Sequence, residues 1–182
     1  TEQPTPEPDL VQQLLEEMTL EQKVGQLFLV RPDSLDLSQT QDQINDAKAD
    51  GVTELTDAMR QTLAEYPVGG VVIFGKNLES PQQITQFLDD LQQASDTPLF
   101  TAIDEEGGLV ARLANNAAFD LPQYESAAAV GTSGNPEDAR AMGRTIGGYL
   151  KEYGFNLDFA PVADVNTNPD NPVLGTLSLI HI

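Results

Sequence analysis

The chain has 182 residues, is 40% hydrophobic and 21% charged, and carries 29 acidic against 9 basic residues, a formal net charge of −20. This suits one folded domain, argues strongly against nucleic acid as a partner, because phosphate binding needs a Lys/Arg surplus, and argues against docking on anionic membranes. The absence of cysteine excludes disulfides, thiolate metal sites and a Cys nucleophile, and the one histidine, His181, sits next to the last residue.

Residues 1–9 (TEQPTPEPD) read as a Pro-rich, solvated spacer. Such a spacer often follows a removed signal or anchor, so the expectation is an exported protein, extracellular or at the cell surface and of bacterial type; an arbitrary boundary explains it equally well. No stretch approaches the roughly 18 apolar residues of a membrane span. Leu10, Val11, Leu14, Leu15 and Met18 fall at helical spacing, and Thr19 with Gln22 has the capping-box pattern of a second short helix. Gln26 to Val30 reads as a buried strand. Residues 33–66 are polar and Gln-rich; Ile44, Val52, Leu55, Met59 and Leu63 suggest a surface excursion of one or two helices.

Gly69-Gly70 leads into VVIFG, a second strand. Ser80, Pro81 and Gln83 mark a helix start, and Ile84, Phe87, Leu88 and Leu91 give its buried face. Leu99 to Ile103 is the third strand and closes on Asp104. A Gly- and Ala-rich stretch runs to Asn135, which opens a helix whose buried side holds Met142, Ile146, Tyr149, Leu150 and Tyr153 and which Gly154 terminates. Asn156 to Val165 contains the fourth strand.

Continuous apolar strands alternating with amphipathic helices predict a parallel α/β sheet covered by helices. An open doubly wound sheet and a (β/α)8 barrel both remain. No strand-to-helix turn carries a phosphate-binding glycine motif, which removes the best argument for a nucleotide-binding open sheet. The step from the second strand to the third is close to the barrel's usual unit of about 31 residues. Four strands are half of such a barrel.

In both folds functional groups collect at the carboxyl ends of the strands. Asp104-Glu105-Glu106-Gly107-Gly108 follows the third strand. Adjacent carboxylates repel and glycines add chain entropy, so the run suits a carboxylate aimed into a cleft on a tight backbone; the plainer reading is an acidic solvated turn. Asp164 follows the fourth apolar run and Asp158 lies inside it; either can simply accept backbone hydrogen bonds. Arg112 is the only basic residue between Lys76 and Arg140. It can fold back over the cleft and grip a polar ligand, or form an ordinary surface ion pair. Clustered carboxylates also suit Mg²⁺ or Ca²⁺, but the run lacks the ligand spacing of a calcium loop.

MTLEQKVGQLFLV, GGVVIFGKNL, AIDEEGG with Arg112 downstream, and NLDFAPVADVNTNPDNPVLG occur in that order. Together they closely resemble the N-terminal catalytic domain of glycoside hydrolase family 3, in its bacterial β-N-acetylhexosaminidase branch, over residues 10–176. The resemblance implies a (β/α)8 barrel of which this chain holds about the first four units, and retaining hydrolysis through a glycosyl-enzyme. It implies that Asp104 hydrogen-bonds hydroxyls of the terminal sugar and Arg112 helps bind that sugar. Glu106, Gly107 and Gly108 would shape the loop, and Asp164 would support the site. It implies no metal or other cofactor.

The family's aspartate nucleophile, its Asp-His acid/base and its Lys-His sugar-binding motif lie further along the barrel, so no catalytic residue is assigned here. After NPVLGT the family pattern expects Arg-Ser-Phe; this chain has Leu177 and then SLIHI. Residues 177–182 therefore read as a non-native tail, and His181 matches no family histidine. The expected parent is a hydrolase of β-linked N-acetylhexosamine from glycans or peptidoglycan fragments, with the fragment itself inactive. Other expectations left open are a glucosidase or xylosidase of the same family, a non-catalytic sugar-binding fragment, and a carboxylate-metal enzyme. Oligomeric state is not legible.

Overall fold

A computed structural model describes residues 9–168 and 170–172. Most of the expected spacer, and the tail with Leu177 and His181, lie outside the described residues.

Helix α1 (Leu10–Glu17) is capped by Asp9, whose carboxylate accepts from the backbone N–H groups of Val11 and Gln12. Helix α2 (Leu20–Gly25) carries the expected capping box: Gln22 N donates to Thr19 Oγ1 at 3.2 Å, and Thr19 N donates to Gln22 Oε1 at 2.8 Å. The expected strand at 26–30 shrinks to β1 (Leu29–Val30). The amides of Gln26, Leu27 and Phe28 are already spent on Gln22, Val24 and Gly25, so the helical turn runs into the apolar segment. The α1 stripe is helical as expected but has no buried member among the described residues.

The segment 33–66 corrects the sequence reading more deeply. It does contain two helices, α3 (Gln41–Asn45) and α4 (Asp57–Glu65), each capped by a threonine. It is not a surface excursion: Leu35, Ile44, Leu55, Met59 and Leu63 are buried, and so is Asp33. Its polar composition hides a fold held by buried polar pairs.

Strand β2 (Gly70–Ile73), helix α5 (Pro81–Gln93) and strand β3 (Phe100–Ile103) follow as expected. Gly70 is required by close approach, since a Cβ there would lie 2.4 Å from the Phe100 carbonyl oxygen. The Gly/Ala-rich stretch holds elements the sequence did not reveal. These are an antiparallel hairpin of β4 (Glu105–Gly107) and β5 (Val110–Ala111), and helix α6 (Ala127–Thr132). Helix α7 (Pro136–Glu152) precedes β6 (Leu157–Asp158), which is all that the expected fourth strand contributes to the sheet.

The main sheet is parallel, in the order β1-β2-β3-β6, with Leu29 opposite Gly70, Ile73 opposite Ile103 and Ala102 opposite Leu157. Every crossover steps the same way. A doubly wound sheet reverses direction at a switch point; a barrel does not. The sheet is therefore part of a TIM-type barrel. Ile84, Phe87, Leu88 and Leu91 of α5 and Met142, Ile146, Tyr149 and Leu150 of α7 pack in one core with Val71, Ile73 and Ile103. Each large apolar side chain buried there contributes about 1.5–3 kcal/mol. This packing fixes which way the strand ends point.

Candidate functional site at the strand carboxyl ends

Four residues emerge where the four parallel strands end: Arg31 after β1, Phe74 after β2, Asp104 after β3, and Asp158 as the last residue of β6. The backbone then turns back on itself through the β4–β5 hairpin. Gly107 (φ +87°) and Gly108 (φ +58°) occupy the left-handed region that disfavours side chains. A Cβ on Gly107 would also approach Met142 Cε to 3.0 Å. The hairpin delivers Arg112 onto Asp104: Arg112 Nη2 donates to Asp104 Oδ2 at 2.9 Å, with both side chains partly exposed.

Glu105 faces the other way, and sequence reasoning missed its part. It is fully buried, and its carboxylate accepts from Leu113 N, Ala114 N and the Tyr149 hydroxyl, each at 2.9 Å. It thus pins the two peptides that follow Arg112 to helix α7. Tyr149 is held un-ionised, its phenol pushed up by burial and then by the Glu105 charge. The Glu105 N–H donates to Asp158 Oδ1 at 3.0 Å. Glu105 points into the fold and Glu106 toward the cleft, and a strand of three residues is too short for sequence periodicity to separate the two.

Asp158, the last residue of β6, lies directly beside Glu105. Burial raises its carboxyl to about 6; the Glu105 N–H bond opposes that rise, and the Glu105 and Asp104 charges add to it. Glu106 is likewise raised, by burial first and then by Asp104, with Arg112 opposing and Asp158 and Asp164 adding. Asp104, Glu106, Arg112, Asp158 and Asp164 therefore share one electrostatic environment, with Gly107 and Gly108 forming the turn between them.

Two atoms of this group are buried without a hydrogen-bond partner: Glu106 Oε2 and Arg112 Nε. A cavity of about 240 Å³ opens beside Glu106, between the hairpin and helices α6 and α7, lined by Glu106, Asp158, Val130, Met142, Ile146 and Pro161; Asp104 and Arg112 are not in its wall. The arrangement offers carboxylate acceptors, one guanidinium fork and an apolar wall, which suits a neutral ligand with hydroxyls and a small apolar substituent. Among the described residues no three His, Cys, Asp or Glu side chains are grouped to hold a metal ion, and no helix is long and apolar enough to cross a membrane.

Fold and site define a barrel-type α/β protein with its polar cleft at the strand carboxyl ends. Residues 19–178 match the Glycosyl hydrolase family 3 N terminal domain, and the chain belongs to that family.

It is 35% identical over 132 residues to a beta-hexosaminidase A of Pseudoalteromonas piscicida, a match covering 70% of this chain and 22% of that protein. It is 32% identical over 118 residues to a beta-hexosaminidase of Thiobacillus denitrificans, covering 63% of this chain and 32% of the relative. The structure resembles a glycoside hydrolase family 3 beta-N-acetylglucosaminidase from Paenibacillus with a TM-score of 0.68 and 34% identity, over 86% of this chain and 26% of that one. It also resembles a beta-N-acetylhexosaminidase from Beutenbergia cavernae with a TM-score of 0.64 and 27% identity, over 87% of this chain and 44% of that one. The chain thus spans less than half the length of each of these relatives.

Proposed function

We propose that this chain supplies the sugar-gripping part of a retaining glycosidase that releases terminal β-linked N-acetylhexosamine from glycans or peptidoglycan fragments. The observation that carries the reading is the Asp104–Arg112 pair, held over the cleft by a hairpin and left with hydrogen-bonding capacity for a ligand. Asp104 accepts from sugar hydroxyls while Arg112 holds its carboxylate and donates its remaining N–H groups to the sugar. Glu106, Gly107 and Gly108 set the loop, and Asp164 adds negative potential beside Glu106. The likeness to beta-hexosaminidases and beta-N-acetylglucosaminidases supports the N-acetylhexosaminide class.

In this reading the chain binds and orients the sugar, and the attacking carboxylate and the acid/base come from outside its 182 residues. The isolated chain then gives no turnover. We extend the reading to an exported protein, on the Pro-rich 1–9 segment and the net charge of −20.

The test is a panel of 4-nitrophenyl β-glycosides offered to the full-length gene product. Preferential release from the N-acetylglucosaminide supports the proposal. Preference for the glucoside or xyloside overturns the sugar assignment, and binding of N-acetylglucosamine without turnover of any member overturns the hydrolase assignment.

A further inference from the structure

The geometry points to Phe74 as a positioning residue for the Asp104–Arg112 pair, an inference that rests on the sugar-binding reading above. Phe74 directly follows β2, so its ring stands at the cleft end of the sheet. Two guanidinium groups lie over that ring: the Cζ of Arg31 at 4.2 Å from its centroid and that of Arg112 at 5.6 Å. A guanidinium plane attracted to an aromatic face keeps its N–H edge available for a ligand, which a second salt bridge would not.

The backbone that carries the ring is fixed. The Phe74 backbone N–H donates to Asn77 Oδ1 at 3.1 Å, and Asn77 is buried and donates to Asp33 Oδ2 at 3.0 Å and to the Val52 carbonyl at 2.9 Å. Arg31 is held in turn, its Nη1 donating to the Ile44 carbonyl at 2.7 Å.

Arg112 needs such a partner. Its side chain donates from Nη2 to Asp104, and its Nε is buried with no acceptor. One bond leaves a long side chain with much of its rotamer freedom. The Phe74 face removes part of that freedom before the ligand arrives. Phe74 thereby passes the rigidity of the Asp33–Asn77 region to the arginine that meets the sugar, without touching the sugar itself.

The experiment uses the full-length protein in three forms: native, Phe74→Leu and Phe74→Tyr. Nitrogen-detected NMR of the arginine Nε–H groups, with Arg112→Lys identifying the signal, reports ring position directly, because a proton over an aromatic face moves upfield. The native Arg112 signal is expected upfield, retained in Phe74→Tyr and moved back in Phe74→Leu. For the N-acetylglucosaminide, Phe74→Leu is expected to raise KM about three- to tenfold with kcat within about twofold, and Phe74→Tyr to leave both near native.

An ordinary Arg112 shift in the native protein, or an unchanged KM in a folded Phe74→Leu, overturns the inference. A native protein that turns over no glycoside contradicts the proposed function instead, and the native NMR shift then decides the positioning claim by itself.

Discussion

At the ends of β1 and β2 the charges are closed off; at the ends of β3 and β6 they are left open. Lys76 spends its three N–H donors on Asp33 Oδ1 at 3.2 Å and on the Gln43 and Ile44 carbonyls, each at 3.1 Å. Asp33 accepts in addition from Val52 N and Asn77 Nδ2, and Asn77 uses its oxygen and its amide nitrogen. Within the Lys76–Asp33–Asn77 cluster every one of these groups is already paired. Across the same sheet, Asp104 and Arg112 share one bond, and Glu106 Oε2 and Arg112 Nε have none. Buried polar atoms without partners cost free energy, so a fold keeps them where something else completes them. The comparison separates charges that hold the fold from charges that wait for a ligand.

The sharpest way to break the comparison is Asp33→Ala. It leaves Lys76, whose side chain is only 6% exposed, without its countercharge. The expected loss is about 3–5 kcal/mol in urea-induced unfolding of the full-length protein. A loss under about 1 kcal/mol would mean the cluster is not closed in solution.

Asp158→Asn tests the other side and has the opposite sign. The folded carboxyl titrates at about 6 against an ordinary 3.8. Between those values the folded state holds the proton more tightly than the unfolded chain. The stability from that proton is present below about pH 3.8 and is lost as pH rises through about 6. Asparagine keeps an acceptor for the Glu105 N–H and removes the buried charge. The expected result is a Tm higher by a few degrees at pH 7, about 1 kcal/mol after allowance for solvent screening, and little difference at pH 3.5. Equal melting at both pH values would place Asp158 in a fully solvated setting.

Much of this was legible beforehand where the signal is local. Ser80, Pro81 and Gln83 start α5, and Thr19 with Gln22 starts α2, because caps are hydrogen bonds within four residues. Asp104 and Arg112 could be singled out because one ends a strand and the other is an isolated cation. What stayed hidden depends on distant partners. The burial of segment 33–66 rests on Asp33 meeting Asn77, 44 positions away, and the role of Glu105 on Tyr149, also 44 positions away. The hairpin of three and two residues is too short to show a period. The raised carboxyl of Asp158 stayed hidden too, because an in-strand carboxylate looks structural until the burial around it is seen.

The most direct measurement is Arg112→Gln in the full-length protein, read for unfolding and for N-acetylglucosamine affinity together. Stability is expected to move by no more than about 1 kcal/mol, because the Asp104–Arg112 pair is partly solvated. Affinity is expected to fall about tenfold or more, the worth of a charge-assisted hydrogen bond of about 1.5–3 kcal/mol. Unchanged affinity, or a stability loss as large as that of Asp33→Ala, would contradict the claim that this cluster is built for a ligand.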